Sequence, residues 1–123
     1  MPSTVLVADD EKHIVQLIKL YLTNEGFRVE TAADGQEALE KARRLRPDLI
    51  ILDLMMPREE TAQTFQRLRQ RRPGVPVLLC TGLPQADPAP HLLQAGAVGL
   101  LRKPFRMNEL WYEVNHALTD KAR

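Results

Sequence analysis

Apolar and polar positions follow two rhythms along the chain, and the switches between them predict alternating strands and helices. Thr4-Val5-Leu6-Val7-Ala8 is a short apolar, β-branched run that ends abruptly in Asp9-Asp10-Glu11. The period then changes: Ile14, Leu17, Ile18, Tyr21 and Leu22 recur at the spacing of one helix face. Asn24-Glu25-Gly26 closes that helix, with Gly26 as the left-handed cap. Phe27-Arg28-Val29-Glu30-Thr31 alternates apolar and polar, the pattern of an edge strand. Asp34 caps a second helix and Glu37, three residues on, completes a capping-box pattern. Ala38, Leu39, Ala42 and Leu45 form its apolar face, and Pro47 lies just past its end.

The strongest signal is Leu49-Ile50-Ile51-Leu52-Asp53, four apolar residues running into one aspartate. A continuous run of that kind reads as a strand covered on both faces, and Pro57 stops its continuation. A third helix carries Ala62, Phe65 and Leu68 beneath an Arg- and Gln-rich outer face and ends at Pro73-Gly74. Val75 to Cys80 is another buried-type strand, finishing at Thr81-Gly82. Leu83 to Pro90 holds three prolines and reads as loop, with Asp87-Pro88 opening a short helix to Ala95 and Gly96-Ala97 ending it. Val98 to Arg102 is a fifth strand, ending at Lys103-Pro104-Phe105, and a last helix shows Leu110, Val114, Ala117 and Leu118 on one face. Five strands alternating with five helices imply βα repeats around a parallel sheet. The prolines fall in loops or first turns throughout.

Composition narrows the function classes. At 123 residues the chain fits one domain, residues 1–123, with a core of its own. Lys plus Arg number 17 against 16 for Asp plus Glu, so the net charge of +1 gives no support to direct nucleic-acid or membrane-surface binding. Cys80 is the single cysteine and forms no internal disulfide, which fits a reducing cytoplasm. No apolar run is long enough to span a bilayer, and the N-terminus lacks a signal-peptide pattern, so no membrane insertion is expected.

The strand ends carry the chemistry. The first strand ends at Asp9-Asp10, the third at Asp53, the fourth at Thr81 and the fifth at Lys103. In a parallel sheet these ends share one edge, where open α/β sheets bind ligands. If those strands are neighbours, three carboxylates, a hydroxyl and an ammonium converge. Clustered carboxylates resist joint ionisation, and a hard divalent cation such as Mg²⁺ relieves the repulsion. Asp53 then offers a carboxylate oxygen to attack phosphorus, giving an acyl phosphate. Lys103 and Mg²⁺ neutralise the phosphoryl oxygens, and Thr81 donates a hydrogen bond to one of them. Neither a P-loop nor a Gly-x-Gly-x-x-Gly motif is present, which argues against a nucleotide at this edge.

Val5-Leu6-Val7-Ala8-Asp9-Asp10-Glu11, Ile51 to Pro57, Cys80-Thr81-Gly82 and Leu101 to Phe105, in that order and spacing, resemble the receiver domain of two-component response regulators, the CheY-like superfamily. The resemblance covers essentially the whole chain. It implies a flavodoxin-like (βα)5 three-layer sandwich with a parallel five-stranded sheet of order 2-1-3-4-5. It also implies that Asp53 takes a phosphoryl group from a phosphohistidine on a sensor histidine kinase or a histidine phosphotransfer protein. By the same analogy Asp10, Asp53 and the Met55 carbonyl hold Mg²⁺, with Asp9 acting through water. Thr81 and Lys103 contact the phosphoryl oxygens, and a cis bond before Pro104 aims the lysine. The face built from the fourth helix, fifth strand and fifth helix is the expected output surface toward a downstream protein. A stand-alone regulator, or a receiver from a hybrid kinase or longer regulator, is expected.

Several positions depart from the family pattern. Leu100 stands where receivers usually have an aromatic that swings inward with the threonine. Glu60-Thr61 replaces a frequent Asp-Gly pair, and the helix after Thr81 is short and proline-loaded. Met55 and Leu83, two residues past Asp53 and Thr81, are apolar and cannot orient a hydrolytic water, so slow self-dephosphorylation is expected. An aspartyl-phosphate phosphohydrolase is the alternative, but such enzymes place a second aspartate where Met55 stands. A degenerate receiver serving only as a binding module is another, and Leu100 keeps it open.

The bland readings are a helix-capping role for Asp9 and Asp10 and a turn role for Asp53. Cys80 reads as a buried apolar residue, and His13, His91 and His116 lack ligand spacing. Trp111 and Tyr112 read as core and surface of the last helix, and Gln66 to Arg72 as a solvated face.

Overall fold

The computed structural model describes residues 3–56, 61–82 and 89–121. Five strands and five helices alternate: β1 (Thr4–Ala8), α1 (Lys12–Asn24), β2 (Arg28–Ala32), α2 (Gly35–Leu45), β3 (Leu49–Asp53), α3 (Thr61–Arg71), β4 (Val77–Thr81), α4 (Ala89–Gln94), β5 (Gly99–Arg102) and α5 (Met107–Lys121). All strand pairs are parallel and the order is β2-β1-β3-β4-β5. This is the expected flavodoxin-like sandwich.

Strand parity builds the two core layers, because successive side chains point to opposite faces. Leu6, Ala8, Ile50, Leu52, Val77 and Leu79 pack with Ala38, Leu39, Phe65 and Leu68 of α2 and α3. The intervening Val5, Val7, Leu49, Ile51, Leu78 and Cys80 pack with Ile18 and Leu22 of α1 and Leu110 and Val114 of α5. Every residue of β3 and β4 is buried, which is why these strands read as unbroken apolar runs.

The helix ends follow their sequence signals. Asp34 accepts from the Glu37 N–H at 2.8 Å, and the Glu37 carboxylate accepts from the Ala33 N–H at 2.7 Å. Gly26, at φ +97°, takes the left-handed turn after α1. The Lys103–Pro104 peptide is cis.

Some expectations need correction. Leu17 is 54% exposed, because the buried stripe of α1 centres on Ile18 and Leu22 and leaves Leu17 at its margin. Ala62 is exposed, since Phe65 and Leu68 already fill the contact of α3 with the sheet. Trp111 is 42% exposed; Leu110, Val114 and Ala117 occupy the inner face of α5. Arg72 is not simply solvated: its guanidinium donates to the Ala42 and Arg43 carbonyls at 3.3 and 2.7 Å, capping the end of α2. The expectations for Pro57, Glu60, Leu83 and Asp87-Pro88 lie outside the described residues.

Candidate functional site

The carboxyl ends of β1, β3, β4 and β5 meet at one edge of the sheet. Continuing the alternation past Val5 and Val7 carries Asp9 toward the α1/α5 side; Ile51 carries Asp53 there, and Leu101 carries Lys103. The Lys103 ammonium accordingly sits among three acids, 2.7 Å from Glu11, 3.0 Å from Asp9 and 3.4 Å from Asp53. Asp10 completes the acidic group: one carboxylate oxygen each from Asp9, Asp10 and Asp53 lies within 4.8 Å of the others. Asp10 is exposed, whereas the Asp9 and Asp53 side chains are almost wholly buried. A groove of about 410 Å³ between α1 and the turn after β2 opens beside Asp9 and Asp10, lined also by Lys12, Gln16 and Thr31.

Backbone hydrogen bonds fix the acids. The Asp9 N–H donates to the Ala32 carbonyl at 2.9 Å, and the Asp9 carboxylate accepts from the Glu11 N–H at 2.9 Å. Asp53 accepts from the Met55 N–H at 3.0 Å, and the Leu54 N–H reaches the Cys80 carbonyl at 2.8 Å. Thr81, fully buried, closes β4, and its carbonyl accepts from the Lys103 N–H at 2.8 Å. The Met55 side chain crosses the mouth of the site, where its sulfur accepts from the Gly82 N–H at 3.0 Å. A Cβ on Gly82 would stand only 3.0 Å from that sulfur, so the glycine permits this close approach.

The electrostatics follow from burial and crowding. Burial, with the neighbouring Asp9 charge, pushes the Asp53 carboxyl up to about 7, against the opposing pull of the Met55 N–H and Lys103. Burial alone would lower the Lys103 ammonium; the bonds from Glu11 and Asp9 and the charge of Asp53 overcome it and hold it above the ordinary lysine value. Burial pushes the Cys80 thiol up to about 12, in keeping with a packed apolar role.

The donor set fits a divalent cation. Three carboxylates of which two are buried, supplied with one ammonium, leave negative charge that a hard, oxygen-seeking ion neutralises. The structure therefore brings together Asp9, Asp10, Asp53 and Lys103 as the sequence suggested, with Thr81 and Met55 on the adjoining strand end and loop. Glu11 was missed as a partner of the lysine. Its signal was its place in the Asp9-Asp10-Glu11 run, one step past the acidic pair. His13 and His91 are exposed, and His116 stacks on Tyr112 with ring centres 5.7 Å apart, far from a ligand role.

Comparison with known proteins agrees with this geometry. The sequence pattern of the response regulator receiver domain matches residues 5–115. The probable transcriptional regulatory protein TcrX of Mycobacterium tuberculosis is 38% identical over 109 residues, spanning 89% of this chain and 47% of that protein. The alkaline phosphatase synthesis transcriptional regulatory protein PhoP of Bacillus subtilis is 38% identical over 110 residues, 89% of this chain and 46% of the relative. The chain thus spans about half the length of these curated relatives. A CheY-like receiver domain protein from Methanospirillum hungatei superposes with a TM-score of 0.93 at 26% identity, covering 99% of this chain and 98% of the other. This chain belongs to the response regulator receiver domain family of two-component systems. No helix among the described residues is long and apolar enough to cross a membrane.

Proposed function

We propose that Asp53 is the phosphoacceptor of this receiver. A carboxylate oxygen of Asp53 attacks the phosphorus of a phosphohistidine on a sensor histidine kinase or phosphotransfer protein. The P–O bond forms as the P–N bond breaks, and the electron pair returns to the imidazole nitrogen. Lys103, already 3.4 Å from the Asp53 carboxylate, neutralises the transferring group, and the Thr81 hydroxyl donates a hydrogen bond to a phosphoryl oxygen. Asp10, Asp53 and the Met55 carbonyl would hold Mg²⁺, with Asp9 supporting them. When bound, the ion supplies positive charge that keeps Asp53 ionised and screens the phosphoryl oxygens.

The observation that carries this reading is the convergence of Asp9, Asp10 and Asp53 on one another and of Asp9 and Asp53 on one ammonium. The domain assists its own phosphorylation and loses the group slowly, because the thioether of Met55 offers no group to orient an attacking water. The face of α4, β5 and α5 is the output surface. Its support is a groove of about 330 Å³ beside the open edge of β5, lined by Leu100, Arg102, Asn108 and Tyr112, with Tyr112 59% exposed.

The test is incubation with acetyl phosphate, with Mg²⁺ or with a chelator, followed by intact-mass measurement. Wild type gains one phosphoryl group only with Mg²⁺, and Asp53→Asn gains none. A wild type that never labels, or a fully labelled Asp53→Asn, overturns the assignment.

A further inference from the structure

Lys103 has three N–H donors, and all three are directed at carboxylates. The shortest of these bonds, 2.7 Å, goes to Glu11, which stands outside the Asp9, Asp10, Asp53 cluster. Glu11 is the N-cap residue of α1, yet its side chain makes no capping bond to its own helix. An N-cap side chain ordinarily accepts from the first-turn amides; this one crosses instead to a lysine 92 positions away. Its side chain is 54% exposed, against 2% for Asp9 and 1% for Asp53.

That difference in exposure decides which bond is exchangeable. Resting on the reading of Asp53 as phosphoacceptor, a phosphoryl group there needs at least one ammonium donor. Phosphorylation turns the Asp53 carboxylate into an acyl phosphate, so the carboxylates still competing for the ammonium are Asp9 and Glu11. Releasing Asp9 would leave a buried carboxylate that water cannot reach, which is costly. Releasing Glu11 leaves a carboxylate that water solvates at once, at the positive N-terminus of α1. We propose that Glu11 is a positioning residue that parks Lys103 in the unphosphorylated protein and gives it up when Asp53 is phosphorylated. Glu11 thereby restrains phosphorylation, and its release carries the change of state to the start of α1.

The experiment compares wild type with Glu11→Gln and Glu11→Asp at saturating Mg²⁺, following the initial rate of labelling by acetyl phosphate. Mg²⁺ affinity is measured separately by calorimetric titration. Glu11→Gln labels about two- to fivefold faster, the range expected for losing one partly exposed ion pair. Glu11→Asp, which keeps the charge on a shorter arm, falls between the two. The ratio of the Glu11→Gln rate to the wild-type rate shrinks toward one as salt is raised, because salt screens the pair only in wild type. Slower labelling in Glu11→Gln together with weakened Mg²⁺ binding would assign Glu11 to the cation and overturn the proposal. Equal rates at low salt would reduce the contact to a passive surface pair and overturn it as well. Failure of wild type to label at all sinks the phosphoacceptor reading instead, so the two failures are separable.

Discussion

The inner stretches of β1, β3 and β4 and the carboxyl ends of the same strands lie a few residues apart and obey opposite rules. Inside, Val5 to Val7, Leu49 to Leu52 and Val77 to Leu79 are wholly apolar and essentially without solvent contact. At the ends, Asp9, Asp53 and Thr81 are as deeply buried but polar, and two of the three are like-charged. The first region gains from every atom removed from water. The second is under strain of charge, visible in the Asp53 carboxyl pushed up to about 7. The contrast teaches that the apolar part of each strand holds in place a buried polar end that would not be stable there by itself.

Substitutions at Lys103, Asp53, Leu52 and Met55 break or sharpen this contrast. The largest effect is expected from Lys103→Ala, which leaves Asp9 and Asp53 buried without their cation. At pH 8 without Mg²⁺ it costs about 3–5 kcal/mol in urea unfolding. A loss no larger than that of an exposed lysine would show that the acids do not depend on it.

Asp53→Asn is expected to act in the opposite direction. The folded Asp53 value of about 7 exceeds the ordinary 3.8, so the folded state holds this proton more tightly. The contribution to stability is complete below about pH 4 and is lost as pH rises through 7, by up to about 4 kcal/mol at 1.36 kcal/mol per unit. Without Mg²⁺, Asp53→Asn is therefore more stable than wild type at pH 8 and loses that advantage near pH 4. Parallel pH profiles for the two proteins would contradict it.

Leu52→Ala, one residue earlier on β3, reverses the sign again. It loses about 3 kcal/mol at any pH by opening a cavity in the core layer that the sheet shares with α2 and α3, read as a lower unfolding midpoint with unchanged slope. A pH-dependent loss would mean that the two regions are not separable.

The smallest effect concerns the rim. Met55→Asn places an amide where it can orient water, and the half-life of the phosphorylated protein falls several-fold, about 1 kcal/mol of barrier. An unchanged or longer half-life would show that the side chain at position 55 does not govern the rate of phosphoryl loss.

Much of this was legible in the chain. The apolar runs of β1, β3 and β4, the Asp34–Glu37 cap and the glycine after α1 announced their elements through period and local hydrogen bonding alone. The residue types at the strand ends pointed to the acidic group and the lysine that the structure brings together. Local pattern was weaker at element margins. Leu17 sits at the border of the α1 stripe, and whether a border residue is covered depends on the neighbouring elements. Trp111 is large and apolar enough to suggest core, but Leu110 and Val114 already occupy the inward face of α5.

Sequence alone determined that five strands form, with their ends placed to within one or two residues, and that each of four strands delivers a polar group at its end, because period and turn chemistry are local properties. Tertiary structure decided that β1 lies between β2 and β3 and that Lys103 reaches back across 92 residues to Glu11. It also decided that Met55 closes on Gly82 and that Arg72 caps α2. These depend on sheet order, on the common parity of Asp9, Asp53 and Lys103, and on which carboxylate remains open to water. Such contacts form only when distant segments are packed together, and no window along the chain contains both partners.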